Sequence, residues 1–512
     1  LKMLAMNEIE LGDDFAAYNN LETFMAYSCM TSASEFLSVS FYSSDITGTT
    51  YQPSEIVLQC KKVFKNIIAY DKFDFDGKKE SMYALRPAFD TVADMIGKGK
   101  KVPESLLEIF AQNPEYSPKL DSLINAKDKV PFKIFDKKNA EKLFGKNLNI
   151  SASQLEKFNL CRFSYFCNYG LNVRERQRAE INSMQYGTIV HYILERFFGE
   201  YTKEEYLSLE EDKFQKIVCA YLAEYAVKYF GEEQLESNSF TYRLKTILDN
   251  VMYLMKHIME ELSQSEFFVA DCELKIGEDI PSYTIVLPDG HKIAVCGSVD
   301  RVDIMQRADI TYLRIIDYKT GTKQFKLSDI LYGINLQMLL YLHSIEASGG
   351  DKYGEIVPAG ILYMPATVPY ISSDSLKSID KLPDELNKKL KMNGLLLKDT
   401  EIIHGMDKTD VATYIPVKIK AGEPVSSTSL ATLAEFGKIF KKVDMLIAEM
   451  GKNIYNGNIE AKPLKGGHDS CEYCPYDSVC AYRQSNPITC FSVDNKTVIE
   501  EITNEINGKE EE

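Results

Sequence analysis

The stretch Arg314-Ile315-Ile316-Asp317-Tyr318-Lys319-Thr320-Gly321 closes a β-branched run with an acid and an amine. A buried strand ought to stay apolar there. Side chains alternate along a strand with a period of two, so Asp317 and Lys319 project from one face, about 7 Å apart. An edge-strand ion pair before a turn at Thr320-Gly321 would account for an isolated pair of this kind. The surrounding text argues for more. Residues 293–305 and 310–319 are both β-rich and are joined by Gln306-Arg307-Ala308-Asp309, short enough for an antiparallel hairpin. With a symmetric loop, facing residue numbers sum to about 615, which sets Asp300 across from Ile315 and one diagonal step from Asp317. Both aspartates then share a face, roughly 7 to 8 Å apart at the backbone, close enough to hold one divalent ion. Parity sends Asp303 to the other side, where it reads as a surface acid.

Two carboxylates on a hard cation, with an ammonium beside them, suit phosphodiester hydrolysis. The metal polarises the phosphate and acidifies a bound water. The amine orients or deprotonates that water and offsets charge on the phosphorus oxygens. Without a cation, only one of the two aspartates is expected to ionise comfortably.

Composition sets the frame around this cluster. The chain has 512 residues, 45% apolar and 26% charged, the balance of an ordinary globular protein with room for two to four domains. It contains no run of eighteen apolar residues and no charged-then-apolar leader, so a cytoplasmic protein without a membrane partner is expected. The text opens at Leu1 in apparently structured sequence, as a piece of a longer polypeptide would. A net charge of -16 argues against coating of nucleic acid by bulk electrostatics, so any DNA contact must be local or shared with a partner. Eleven cysteines without an export signal do not read as a disulfide framework.

Along the chain, residues 21–43 read as a helix running into a short strand, and 51–64 as a helix opened by Pro53-Ser54. Together 1–66 look like the end of one domain. Residues 67–150 are lysine-rich and irregular, punctuated by short helical patterns, with a basic loop at Gly97-Lys98-Gly99-Lys100-Lys101, and read as a connecting region. A new unit, 151–485, opens at Ser151 with Ser153 as a helix cap. It continues as a helix at 187–199 carrying His191 and Glu195, and then as helical text to about 265. Strands follow at 267–276, 283–305 and 310–319, with Pro288-Asp289-Gly290 as a hairpin turn. A helix at 328–347 and a strand at 358–365 complete a compact mixed α/β core. Residues 486–512 read as a loose acidic tail.

Four segments in this order, "GTIVHYILERF" (187–197), "GSVDRVD" (297–303), "IIDYKTG" (315–321) and "YGINLQMLLYL" (332–342), resemble PD-(D/E)XK nuclease domains of the RecB and AddB types, the AddB type more closely. The text at 394–407, 414–420 and 471–480 is similar to the AddB type as well. The resemblance implies a mixed sheet flanked by helices, with helical additions. It makes His191, Asp300 and Asp317 metal ligands, adds the Tyr318 carbonyl, and casts Lys319 as the catalytic amine. Gln337 and Tyr341, one helical turn apart, would face the same cleft. Glu273 is a weaker candidate, since an acid in "CELKI" is commonly the polar side of a strand. The implied metal is magnesium, and the imidazole leaves room for manganese.

Cys471, Cys474 and Cys480 supply three ligands, and a four-coordinate site needs one more. From spacing alone zinc fits, with His468 nearby as the fourth ligand. The resemblance instead nominates Cys161 and a 4Fe-4S cluster, a structural clamp joining both ends of the nuclease unit. Cys167 reads as a packed thiol.

"FMAYSCMTSASEFLSVSF" (24–41) resembles the last motor motif of superfamily 1 helicases, but Thr31-Ser32-Ala33 stands where that motif carries an arginine for ATP. No G-x-x-x-x-G-K-[ST] loop occurs in the chain either, so a helicase-like remnant without ATP hydrolysis is expected. The resemblance as a whole implies a metal-dependent DNA exonuclease subunit of an ATP-dependent helicase-nuclease, processing double-strand breaks for homologous recombination. Its partner would be an AddA-type helicase-nuclease subunit. Its substrates would be single- and double-stranded DNA ends, with the 5'-ended strand cut. The alternative is a non-catalytic DNA-end-binding scaffold that keeps the nuclease fold. A zinc-stabilised interaction protein explains the cysteines but leaves RIIDYKTG unexplained.

Overall fold

The computed structural model describes residues 15–42, 50–67, 83–97, 100–125, 133–174, 183–231, 237–321, 324–369, 382–426, 428–480, 482 and 487–510. The chain divides into two compact units, Leu1–Lys129 and Val130–Glu512. In the first, helices α1 (Phe15–Thr31) and α2 (Glu55–Val63) leave their described side chains exposed or half-exposed. The strand expected after α1 does not form within 32–42. The short helical patterns read within the connecting region form helices among its described residues. Helices α3 (Leu85–Gly97), α4 (Glu104–Gln112) and α5 (Ser117–Asn125) close a small core around Phe89, Val92, Phe110, Tyr116 and Leu120. Lys98 and Gly99 lie outside the described residues.

The second unit begins upstream of Ser151, with α6 (Lys137–Phe144) and strand β1 (Asn147–Ile150). The helix α7 (Ala152–Leu160) is capped by Ser151 rather than Ser153: the Ser151 hydroxyl accepts the Gln154 amide, and the Gln154 side chain returns to the Ser151 amide. Three long helices follow, α8 (Ser183–Glu200), α9 (Glu211–Phe230) and α10 (Asn238–Ser263). Among the described residues none is long and apolar enough to cross a membrane.

The strands after α10 are β2 (Phe268–Ile276), β3 (Thr284–Val286), β4 (Lys292–Val295), β5 (Gly297–Arg307), β6 (Ile310–Lys319), β7 (Glu355–Pro365), β8 (Asn393–Leu397), β9 (Lys418–Lys420), β10 (Glu423–Val425), β11 (Leu430–Ala431), β12 (Leu464–Gly466) and β13 (Ile488–Cys490). The central sheet has the order β11-β8-β7-β6-β5-β2. Its β6–β7 and β8–β11 pairs are parallel and the rest antiparallel. A parallel pair needs a long crossover, and α11 (Gln337–Ser348) provides it between β6 and β7. The expected hairpin at Pro288-Asp289-Gly290 joins β3 to β4, and β4 also pairs in parallel with β1. That pairing ties β1 into the nuclease unit. The Tyr455 hydroxyl, donating to the Gly145 and Lys146 carbonyls, adds a second tie.

Two local details reset the geometry expected from sequence. The β5–β6 loop is only Ala308-Asp309, with Ala308 in the left-handed region at φ 50, so Arg301 faces Ile316 and the register moves by two residues. An even shift preserves which face each side chain takes. The helix expected at 328–347 is also interrupted. A 3-10 turn (Leu327–Tyr332) ends at Gly333 (φ 69), Asn335 follows at φ 54, and α11 starts only at Gln337. The tail is not loose. After α12 (Leu433–Tyr455), residues Asn495–Glu510 form α13, whose Val498, Ile502 and Ile506 recur every fourth position and are buried, while Lys442 pairs with Glu505. Glu511 and Glu512 lie outside the described residues.

Candidate active site

The β5–β6 ladder runs only as far as Arg301 and Ile316. One step beyond come Asp300 and Asp317. There Asp300 Oδ2 accepts the Tyr318 amide at 2.9 Å, so a side chain takes the place of a ladder bond. On the other flank, Cys272 pairs with Arg301 and Leu274 with Val299, which sets Glu273 beside Asp300. Three acids from three adjacent strands thus stand in one row. Glu273 holds a left-handed φ of 52, a conformation that costs a side-chain-bearing residue about 1–3 kcal/mol and tends to mark functional sites.

Helix α8 closes the row from above. Its Ile189, Val190, Ile193, Leu194 and Phe197 are buried in the core, and His191 meets the acids: Nδ1 lies 2.8 Å from Glu273 Oε1 and Nε2 lies 3.6 Å from Asp300 Oδ2. Ser298 Oγ donates to the second Glu273 oxygen at 2.8 Å. Lys319 Nζ sits 2.6 Å from Asp317 Oδ2, and its ammonium is 5.7 Å from the ring of Tyr363, the β7 residue paired with Asp317.

The electrostatics of the row call for a cation. Burial, then the charge of Asp317, push the Asp300 carboxyl up to about 7, against the pull of His191 and the Tyr318 amide. Burial would likewise raise Glu273, but hydrogen bonds from His191 and Ser298 hold it below the usual carboxylate range. For His191, burial would lower the imidazole; the Glu273 hydrogen bond and the Asp300, Glu273 and Asp317 charges outweigh it and raise it. Donor atoms of His191, Glu273 and Asp300 all lie within 4.8 Å of one another, and this is the one such group among the described residues. Carboxylate oxygens plus one imidazole suit magnesium or manganese. The donor set therefore fits a divalent ion.

Glu273, the weaker candidate from sequence, thus stands with His191 and Asp300. Its position beside Asp300 depends on a pairing between strands some 25 residues apart, which local alternation does not reveal. Asp303 does take the opposite face, as parity requires, but it is fully buried between Arg301 and Arg314 and is no surface acid. Gln337 opens α11, and its amide and that of Leu336 donate to Glu156 Oε1 at 3.3 and 2.7 Å. Tyr341, one turn on, packs its hydroxyl against Gly297 so tightly that a Cβ there would overlap it.

At the far side of the unit, Cys161, Cys474 and Cys480 pack into one apolar cluster with Phe163, Cys167 and Tyr476. Burial raises the Cys161 thiol, while the amides of Ser164, Phe163 and Lys462 bond its sulfur and favour the thiolate. His468 turns elsewhere, toward Asp329 at 3.5 Å. No cysteine among the described residues forms a disulfide.

A family model described as the PD-(D/E)XK nuclease superfamily matches residues 149–481. Similar, longer proteins are named as the B subunit of an ATP-dependent helicase/deoxyribonuclease. The one from Thermoanaerobacter sp. (strain X514) is 30% identical over 506 residues, covering 94% of this chain and 44% of the relative. Those from Clostridium acetobutylicum and from Clostridium botulinum (strain Hall) are 30% and 32% identical, each over 94% of this chain and 44% of the relative. The chain thus spans less than half the length of these relatives. With the family match running from β1 past Cys480, and the acids, histidine and lysine gathered at the open end of β5 and β6, the chain belongs to the PD-(D/E)XK nuclease superfamily.

Proposed function

We propose that the chain is the nuclease part of a helicase-nuclease subunit and hydrolyses DNA phosphodiester bonds with a divalent metal, magnesium or manganese. The observation that carries this reading is the convergence of His191, Glu273 and Asp300 beside the Asp317–Lys319 pair. His191, Glu273, Asp300 and Asp317 would hold the ion, with the Tyr318 carbonyl beside them. A bound cation supplies polarisation of the phosphate and a water of lowered pKa. Lys319, steered by Asp317 and the Tyr363 ring, orients the attacking water and offsets charge on the phosphate. Glu273 fixes the imidazole of His191 through Nδ1. Gln337 and Tyr341 line the approach from α11.

In this reading the partner is an AddA-type helicase subunit that supplies ATP-driven movement. The substrates are DNA ends at double-strand breaks awaiting homologous recombination, and the 5'-ended strand is cut in the cytoplasm. Residues 1–66 would be a helicase-like remnant without ATP hydrolysis, and the stretch read as connecting from residue 67 would end where the second unit begins, at Val130 rather than at 150. Cys161, Cys471, Cys474 and Cys480 would hold a 4Fe-4S cluster. One feature supports it over zinc: His468, the fourth zinc ligand that spacing offers, is directed to Asp329. The test is cleavage of 5'- and 3'-labelled DNA by the chain with its partner, in magnesium and in chelator. Metal-dependent shortening is expected. End binding without cleavage would leave a scaffold.

A further inference from the structure

The two strands that carry Asp300 and Asp317 hold a second set of charges on their opposite face. Arg301 and Asp303 on β5, Arg314 on β6 and Glu261 near the end of α10 form a closed quartet, none of them more than 1% exposed. Arg301 grips both Asp303 oxygens at 2.7 Å and reaches Glu261 at 3.0 Å. Arg314 donates to Asp303 Oδ2 at 3.0 and 2.8 Å and to Glu261 at 2.6 Å. The Phe198 and Phe267 rings lie against the two guanidiniums. Tyr318, whose amide Asp300 binds, brings its hydroxyl to 3.5 Å from Arg301 Nη1.

Stability alone gives no reason for this arrangement. Desolvating four charges offsets much of their attraction, and well-packed apolar replacements of such networks are often neutral or stabilising. Location gives a reason. The Arg301–Tyr318 and Asp303–Arg314 contacts both cross from β5 to β6, directly behind the point where the ladder stops and Asp300 meets Asp317. A cation needs both carboxylates ionised, and ionising them together would favour parting of the strand ends; directional charge-assisted bonds on the reverse face oppose it. We infer that the buried quartet Glu261–Arg301–Asp303–Arg314, with the Tyr318 hydroxyl, is a positioning device that holds the ends of β5 and β6, and with them Asp300 and Asp317, in place before the cation arrives. The inference rests on the nuclease reading. The quartet touches no substrate and acts through the two aspartates.

The test replaces all four charges with apolar side chains of similar length (Glu261→Leu, Arg301→Met, Asp303→Leu, Arg314→Met) in the full chain. It compares melting temperature, Mn2+ affinity by calorimetry and cleavage kinetics. The expected variant melts at or above the wild-type temperature, yet binds Mn2+ about 10- to 100-fold more weakly. Its kcat falls by a similar factor while KM for DNA stays within about threefold. Tyr318→Phe, which leaves the quartet whole, should weaken Mn2+ binding by about 3- to 10-fold. Arg314→Lys, which keeps the charge, should retain more affinity than Arg314→Met. A folded quadruple variant with wild-type Mn2+ affinity and kcat would overturn the inference. If the quadruple variant does not fold, unchanged affinity in Tyr318→Phe does so. A wild-type chain that takes up no Mn2+ would overturn the nuclease reading along with it.

Discussion

Cation uptake at the candidate site should expel at least about one proton at pH 6, and Asp300 supplies that minimum. Its carboxyl lies at about 7 because it is buried beside the Asp317 charge. At pH 6 it is roughly 90% protonated and at pH 8 roughly 10%. The cation needs the ionised form, so binding at pH 6 releases close to one proton from this group and at pH 8 almost none. His191 is raised as well, which adds to the release at the lower pH. Proton and cation compete below pH 7, so apparent affinity should fall at least about tenfold for each further pH unit, and more steeply where His191 is protonated as well.

The cation-free protein shows the same group from the other side. The folded state keeps the Asp300 proton up to about pH 7, whereas the unfolded chain loses it near 3.8. Stability from this group is therefore full below pH 4 and declines as pH rises to 7, by at most roughly 4 kcal/mol. Asp300→Asn should flatten that decline in chelator. Calorimetric Mn2+ titrations at pH 6 and 8, each in two buffers of different ionisation enthalpy, count the protons. A count near zero at pH 6 would refute the reasoning, because Asp300 would then be ionised without a cation.

Three further outcomes follow from particular contacts. Asp303→Ala leaves Arg301 and Arg314 sharing one carboxylate in a dry interior and should cost about 3–5 kcal/mol, read as a lowered melting temperature. Glu273→Gln removes the charge that fixes His191 and should weaken Mn2+ binding about 10- to 100-fold with little change in melting; wild-type affinity would return Glu273 to the strand surface. Protein purified without oxygen should be brown with about four irons per chain, colourless after Cys161→Ser, and still brown after Cys167→Ala or His468→Ala. One zinc per chain, dependent on His468, would contradict the cluster.

Much of the site was legible because strand parity is robust. The register read for β5 and β6 was off by two residues, yet Asp300 and Asp317 still shared a face, since an even slip preserves alternation. What stayed hidden depends on contacts distant in sequence. Glu273 joins the site through β2–β5 pairing and a left-handed backbone, and neither leaves a local signature. Asp303 looked like a surface acid because nothing in its own strand announces Glu261 arriving from a helix some forty residues earlier. Composition hides the order of the tail: its acids are numerous, but Val498, Ile502 and Ile506 carry a helical spacing that buries one stripe. The break before Gln337 was missed although Gly333 and Asn335, the residues that make it, were visible.

The most direct test of the metal-dependent nuclease site is single-turnover cleavage of end-labelled single-stranded DNA in magnesium. It compares the wild-type chain with Asp317→Ala, both with the partner subunit and at protein concentrations that saturate the DNA. Losing the carboxylate that faces Asp300 and steers Lys319 should slow cleavage by at least about 100-fold with DNA binding retained. Cleavage by Asp317→Ala at the wild-type rate would contradict the account.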